Sequence, residues 1–465
     1  MRSAAVVVLL ILLVLHSPEV LWAEQVSFEQ ILELAMDRSE ILKLRRSAVK
    51  RASLSLAEAR SRLGPELTFQ AAAGYLANPP EGITVKAGDL GVIPPPISFA
   101  IPEQDLTFIE DARNSYFELT LQLIQPLYTW GKLKGSVDLA ALGLRASKFE
   151  FTEQERQLHR ELHKAYFSGV FARDSAGLLE QILDILEEIE KDRRRAFELG
   201  SVNKLSVLQI ETQISGARRQ LVQAREAYSS ALEAVALYTD LDPQDLDLSA
   251  AFRKDLPRFT EAALKEEAEG NSPSLRKDLL DQEQARANLN LVRSGAIFRP
   301  DFSFNFSFEV SGQTIPWSED SWEDTWDLNL IVGVGTQGSL FDSGRSGHRI
   351  RQAEEVLAAS QDAIDLKRKQ IHLQTRRAVE ELQLRQAELQ EAEAGVIQAE
   401  EEQKNSKLGF EQQLLTREKW GAARIALLQK RLELLARGFS FELALSELES
   451  VVGFRWPGRE SLPIN

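Results

Sequence analysis

Apolar residues along this chain follow two rhythms, one of alternating fours and threes and one of two, and the pair of rhythms occurs twice. From Val137 through Ala141, Leu144, Lys148, Phe151, Glu155, Leu158, Leu162 and Ala165, and on through Gly169, Ala172 and Ala176 to Leu179, Leu183 and Leu186, a mostly apolar seam recurs four and three positions apart. A second seam at seven-residue spacing takes in Leu357, Ile364, Ile371, Ala378, Arg385, Ala392 and Ala399, with Leu382, Leu389 and Val396 between. Such a seam holds one helix face against partners over many turns. No proline occurs from Leu127 to Asp242 or from Trp317 to Trp456, and good helix formers dominate both stretches. Each predicted long helix has about 65 residues and a length of roughly 100 Å, far beyond a domain diameter. Gly200 after Phe197-Glu198-Leu199, and Gly409 after Ser406-Lys407-Leu408, predict left-handed caps that stop these helices. Helical sequence resumes at once, over Leu205 to Leu237 and Leu414 to Leu448, so each half is an antiparallel helical hairpin with a tight tip. The return arms are much shorter than the outgoing ones. Helical segments upstream, Phe28 to Leu63 and Ser274 to Ile297, fill the remainder.

The period of two appears between those upstream helices and the long ones. Phe302, Phe304, Phe306, Phe308 and Val310 alternate with Ser303, Asn305, Ser307 and Glu309. Trp326, Leu328, Leu330, Val332 and Val334 alternate with Asp327, Asn329, Ile331 and Gly333. Leu67, Phe69, Ala71, Ala73 and Tyr75 form a third stripe, and Phe117, Leu119, Leu121 and Leu123 a fourth. Segments near ten residues, apolar on one side and polar on the other, suit transmembrane β-barrel strands as well as a soluble half-buried sheet. The four phenylalanines and the nearby Trp317, Trp322 and Trp326 favour lipid, which makes Phe302, Phe304, Phe306 and Phe308 a lipid-facing row. Four strands leave open edges that hydrocarbon does not tolerate, so a barrel requires further copies of the chain.

The order helix, strand, loop, strand, long helix, tip, helix is thus duplicated. Pro65-Glu66-Leu67-Thr68-Phe69 answers Pro300-Asp301-Phe302-Ser303-Phe304, Leu127 to Lys132 answers Leu340 to Arg345, and Leu199-Gly200 answers Leu408-Gly409. The first strand hairpin is the longer, with a Pro/Gly-rich loop near Asn78 to Pro102. The chain divides into a signal peptide at 1–23, a first repeat at 24–240, an inter-repeat linker or equatorial region at 241–272, a second repeat at 273–453 and a tail at 454–465. Arg2 followed by the apolar run Ala4 to Leu15, with Ala23 at a cleavage point, marks the leader. That run is too short to span a bilayer as a helix.

Composition narrows the chemistry. With no cysteine there is no disulfide, thiolate metal site or acylated N-terminal cysteine. A net charge of -15 argues against a nucleic-acid partner. His159 and His163 stand at a metal-compatible i, i+4 spacing, but as two exposed histidines on a charged helix face with no third ligand. No nucleophile and base are paired, Gly344-Arg345-Ser346-Gly347 lacks the ending of a phosphate loop, and no cofactor is expected. An enzyme is not expected.

Leu340-Phe341-Asp342-Ser343-Gly344-Arg345 opening a long helix resembles the strand-to-helix signature of the TolC-like outer-membrane efflux protein family. Arg195-Ala196-Phe197-Glu198-Leu199-Gly200-Ser201-Val202, followed by Val207-Leu208-Gln209, resembles a hairpin tip of that family. The likeness extends from about Phe28 to Gly453. It implies an α+β, mainly α fold: tandem-duplicated helical hairpins forming an α-barrel tunnel, with four transmembrane strands per chain contributed to a barrel shared by a homotrimer. It implies an outer-membrane location with the tunnel in the periplasm, and a periplasmic adaptor and inner-membrane pump as partners. The function implied is the exit duct of a tripartite efflux or type I secretion system. The heptads alone would also suit a structural coiled-coil tether or adhesin of the envelope, which has no use for lipid-facing strands. The family often carries an aspartate-rich stretch after its second tip glycine. This chain has Leu414-Leu415-Thr416-Arg417-Glu418 there, so no pore-closing aspartate ring carries over.

Two sets of residues remain as candidate sites. Gly200, Ser201, Val202 and Asn203 with Gly409, Phe410, Glu411 and Gln412 form the tips, read either as adaptor-docking and closing elements or as simple helix caps. Glu319, Asp320, Glu323 and Asp324 make the second strand loop acidic, read either as a cation-preferring outer mouth or as a solvated loop.

Overall fold

The computed structural model describes residues 25–87, 104–109, 113–255, 259–314, 324 and 326–453; the leader and the tail lie outside them. In chain order the first half begins with β1 (Gln25–Val26), α1 (Phe28–Arg38) and α2 (Glu40–Ser61). It continues through β2 (Glu66–Tyr75), β3 (Ile83–Val85), β4 (Leu106–Ile109) and β5 (Ser115–Tyr128) to α3 (Lys132–Glu198) and α4 (Lys204–Thr239). β6 (Asp247–Leu248) leads into the second half: α5 (Glu261–Asn271), α6 (Pro273–Ser294), β7 (Asp301–Gly312), β8 (Trp326–Gln337), α7 (Arg345–Glu411) and α8 (Arg417–Val452).

Helix lengths repeat residue for residue. α1 and α5 have 11 residues, α2 and α6 have 22, α3 and α7 have 67, and α4 and α8 have 36. The first upstream helix, expected as one piece from Phe28 to Leu63, is broken at a buried serine. The second runs unbroken near its expected span and is preceded, across a matching buried serine, by an additional short helix. At Ser39 and Ser272 the backbone turns out of the helix (φ -55, ψ 122 and φ -58, ψ 119) while its N–H still donates to Ala35 or Ala268. α5 falls in the stretch 241–272, where periodicity singled out no element. Local chemistry explains these starts: Ser27 and Gln30 form a reciprocal capping box on α1, and Thr260 accepts from the Ala263 N–H on α5.

The chain falls into two compact units. The first contains the described parts of Met1–Arg51, Leu144–Gln282 and Ala359–Asn465, and it is helical apart from the parallel pair of β1 with β6. Each repeat supplies it with an apolar core built from the seam. Ile31, Ala35 and Leu42 pack with Leu158, Leu162, Tyr166 and Val235 in the first, and Leu264, Ala268 and Leu275 with Ile371, Val379, Leu382 and Leu448 in the second. Burying each such large side chain contributes about 1.5–3 kcal/mol. A third cluster joins α3 and α4 to Leu428 of α8 through Ile182, Leu186, Ile210 and Ile214.

The second unit, Ala52–Gly143 with Glu283–Ala358, holds the main sheet. Its strand order is β2-β5-β7-β8, antiparallel throughout. The one proline inside a strand among the described residues, Pro126, sits at a register shift before Tyr128, where its missing N–H breaks no ladder. β3 and β4 form a separate two-stranded ribbon within the first strand hairpin.

Candidate functional site

The register of the sheet decides what each stripe faces, because residues directly opposite in antiparallel strands share a side. Phe69, Leu121, Phe308 and Leu330 stand in one row, and Leu67, Leu123, Phe306 and Val332 in the next. The four stripes therefore make one apolar face containing Phe302, Phe304, Phe306 and Phe308. The reverse face has rows such as Gln70, Thr120, Glu309 and Asn329, or Ala72, Glu118, Ser311 and Asp327. No lysine or arginine occurs in any of the four strands. Phe117 stacks on Trp326 across Gly312, where a Cβ would overlap the indole ring. Among the described residues of one chain β2 and β8 each have a single neighbour, which leaves two open edges. Of the acidic loop, Asp324 is described and exposed; Glu319, Asp320 and Glu323 lie outside the described residues.

The corners that join strand to helix are duplicated to the level of backbone angles. Trp130 and Gly131 have φ of 54° and 86°, and Ser343 and Gly344 have 55° and 82°. Lys132 and Arg345, the first residues of the long helices, follow each pair.

At the first tip Gly200 takes φ +74, the Gly200 N–H donates to Phe197 O at 2.9 Å and the Ser201 N–H to Ala196 O at 2.8 Å. This is the two-bond left-handed helix end that glycine favours. Val202 is half-buried, and Asn203 caps α4 by accepting from the Ser206 N–H at 3.0 Å. The second tip corrects the expectation for Gly409. α7 runs through Gly409 to Glu411, and the left-handed residue is Gln413, at φ 61. Gln413 N–H donates to Phe410 O and Leu414 N–H to Gly409 O, the same two bonds as at the first tip. Gly200 therefore answers Gln413, one helical turn beyond Leu408-Gly409. Gly409 instead lies under a side chain: a Cβ there would come within 2.9 Å of the flexible end of Leu415 folded back on it. Phe410 stacks on Trp420 of α8 at 5.0 Å, while Glu411 and Gln412 are exposed. Gln carries no signal for a left-handed turn. Matching the caps Asn203 and Thr416 would have located it. Each tip carries a largely exposed leucine, Leu199 at 83% and Leu414 at 75%.

The histidines are a second correction. His159 and His163 are buried, packed edge-on to Phe28, because this turn of α3 is covered by α1. His163 Nε2 lies 3.1 Å from Oε1 of the fully buried Glu442 on α8. Arg253, on the inter-repeat segment, donates to the same carboxylate from Nε at 3.0 Å and from its backbone N–H at 3.1 Å, and reaches Glu449 at 2.8 Å. Burial alone would raise the pKa of Glu442. The hydrogen bonds from His163 and Arg253, with their charge, outweigh it and hold the carboxyl at about 2. Sequence pattern gave no hint of this node, whose members are distant along the chain and lie outside both seams. Among the described residues no group of three or more His, Asp or Glu is placed to hold a metal ion, and no helix is long and apolar enough to cross a membrane.

Comparison with known proteins places these features together. A sequence model described as outer membrane efflux protein matches residues 31–239 and 264–453. Among solved structures, a membrane protein from Pseudomonas aeruginosa is 17% identical, with 92% of this chain and 93% of that chain covered and a TM-score of 0.70. The CmeC outer membrane channel of Campylobacter jejuni is 15% identical, with 92% and 85% covered and a TM-score of 0.71. The outer membrane protein VceC of Vibrio cholerae is 18% identical, with 92% and 96% covered and a TM-score of 0.67. No curated protein matches by sequence.

Proposed function

This chain belongs to the outer membrane efflux protein family, and on that premise we propose that it is the exit duct of a tripartite efflux or type I secretion assembly, working as a homotrimer. Three copies joined β8 to β2 would close the open edges into a barrel of twelve strands. The apolar face with Phe302, Phe304, Phe306 and Phe308 would meet outer-membrane lipid, and the polar face would line the pore. The helical hairpins would form the periplasmic tunnel. The observation that carries this reading is a sheet apolar across all four strands on one side, polar on the other, and open at both edges. A coiled-coil tether needs none of those features.

The tips are the proposed docking surface for a periplasmic adaptor coupled to an inner-membrane pump, and the loop containing Asp324 the proposed acidic mouth. The equal hydrogen-bond pattern and exposed leucines of the two tips support the first proposal. Because the chain has no cysteine, the edge pairing can be tested cleanly. Single cysteines scanned along β2 near Ala72, combined with ones along β8 near Gly333, should crosslink between copies into a heat-modifiable, detergent-extracted trimer. Purification of the full chain as a detergent-independent monomer without such crosslinks would sink the reading.

A further inference from the structure

We infer that the corner at Phe298–Asp301, closed against Trp130 and Lys132, is a headgroup site for an anionic phospholipid; this rests on the membrane reading above. The corner lies where the apolar face of the sheet ends, one step beyond the Tyr128–Phe302 pair. Phe298 holds φ +61, a conformation that disfavours a bulky side chain, yet its ring is 72% exposed and so recovers little by burial within the chain. An outlier of this kind points to an outside partner for the ring. Leu340 and Phe341, which follow Ser339, the acceptor of the Phe298 N–H at 3.5 Å, are 76% and 81% exposed. Together these side chains continue the lipid-facing surface past the last paired row, to the depth where aromatic residues meet headgroups.

The polar half of the site is built around Trp130. Its indole N–H donates to Pro300 O at 2.9 Å, which fixes the ring, and the Arg299 guanidinium carbon lies 6.0 Å from the ring centroid. Arg299 Nη1 donates to Arg293 O at 2.8 Å. Its Nε and Nη2 donors stay open among the described residues. Lys132 bridges Asp301 at 2.9 Å and Arg299 O at 3.3 Å, tying the two repeats at this point. A guanidinium held over an aromatic ring by a backbone carbonyl, with part of its fork unoccupied, suits a phosphate oxygen pair. Beside exposed apolar side chains, the phosphate it suits is that of a lipid. The backbone does not demand tryptophan here, since Ser343 occupies the equivalent turn at φ 55. The other repeat lacks the aromatic platform, so the site occurs once per chain.

Trimers of the full chain would be inserted into vesicles of equimolar phosphatidylglycerol and phosphatidylcholine, extracted in mild detergent, and weighed intact with their retained lipid. The wild-type chain should keep phosphatidylglycerol over phosphatidylcholine by about fivefold, the weight of one basic group at an anionic surface. Arg299→Gln and Trp130→Ser should bring that ratio close to one while insertion and trimer heat-modifiability stay unchanged. Arg219→Gln, on exposed α4 surface, should leave the ratio alone. Equal retention by wild type and both variants overturns the site and leaves the channel standing. Release of the retained lipid by millimolar inorganic phosphate would show a free-anion site and overturn the lipid assignment. A wild-type chain that never enters the vesicles overturns the membrane reading, and the site with it.

Discussion

The two repeats share a backbone and differ in chemistry. Positive φ occurs at matched positions in both: Trp130 and Ser343, Gly131 and Gly344, Gly200 and Gln413, Asp240 and Gly453. Glycine fills both members of only one pair. Helix lengths agree throughout, yet the buried Glu442 of α8 stands opposite Ser229 in α4, and Trp130 opposite Ser343. Turns, caps and register thus keep their places while the residues filling them vary. Lengths and cap positions carry the duplication more faithfully than residue identity does. The particular side chains are where one repeat gained something the other lacks.

The largest expected break in this symmetry is in the sheet. Phe304 and Phe306 of the central strand β7 correspond to Phe69 and Ala71 of the edge strand β2. Replacing Phe304 and Phe306 together by Asp should abolish the heat-modifiable trimer. Basic residues on a lipid face cost about 2–4 kcal/mol each at mid-depth and acidic ones somewhat less, and every copy carries both. The same two charges on the reverse face, at Asn305 and Ser307, should leave assembly intact, read by gel migration with and without heating. Equal loss from both faces would undo the orientation of the sheet.

Next in size is the Glu442 node, which has no counterpart in the first repeat. Glu442→Ala leaves Arg253 and His163 without their shared carboxylate and should destabilise the helical unit by about 3–5 kcal/mol, read as a lower urea midpoint by circular dichroism. Ser229→Ala, at the matched and exposed position, should change it little. The node also sets a pH dependence. The carboxyl is held at about 2 in the folded chain against an ordinary 4.5. Its stabilising contribution is therefore full above about pH 5 and is lost as pH falls through that window toward 2. Glu442→Gln should flatten this part of the stability profile; an unchanged slope would mean that other carboxyls carry it.

Much of the fold was legible because its signals are local and repeated. The seams fixed the long helices, strict alternation fixed β7 and β8, and proline-free runs fixed extent. All four stripes were on the page as well, and the register then placed them on a single face. What stayed hidden depended on contacts distant along the chain, or on residues used against their usual preference. Buried Ser39 and Ser272 break helices through backbone angles that no periodicity records. His159 and His163 read as exposed in sequence because α3 gives no sign of α1 lying over them. Arg253 reaches Glu442 from a segment with no pattern of its own.

The smallest expected effect tests the tips, where the comparison is between Gly200 and Gln413. Gly200→Ala places a Cβ on a left-handed residue. It costs about 1–2 kcal/mol in the folded turn, partly offset by the stiffer unfolded chain, for a net of about 1 kcal/mol. That corresponds to roughly fivefold faster amide exchange over the first tip, since local opening reports on local stability. Gln413→Gly should act in the opposite direction and slow exchange over the second tip by a smaller factor, because the strain it relieves is offset by greater freedom in the unfolded chain. Gly409→Ala separates the two roles of glycine. Were Gly409 the left-handed cap, alanine would speed exchange as much as at Gly200. With Gly409 helical and pressed against Leu415, the gain in helix propensity of about 1 kcal/mol opposes the displacement of one flexible leucine, and the change should be markedly smaller. Equal acceleration at Gly200 and Gly409 would return the second turn to Leu408-Gly409 and break the residue-for-residue match between the repeats.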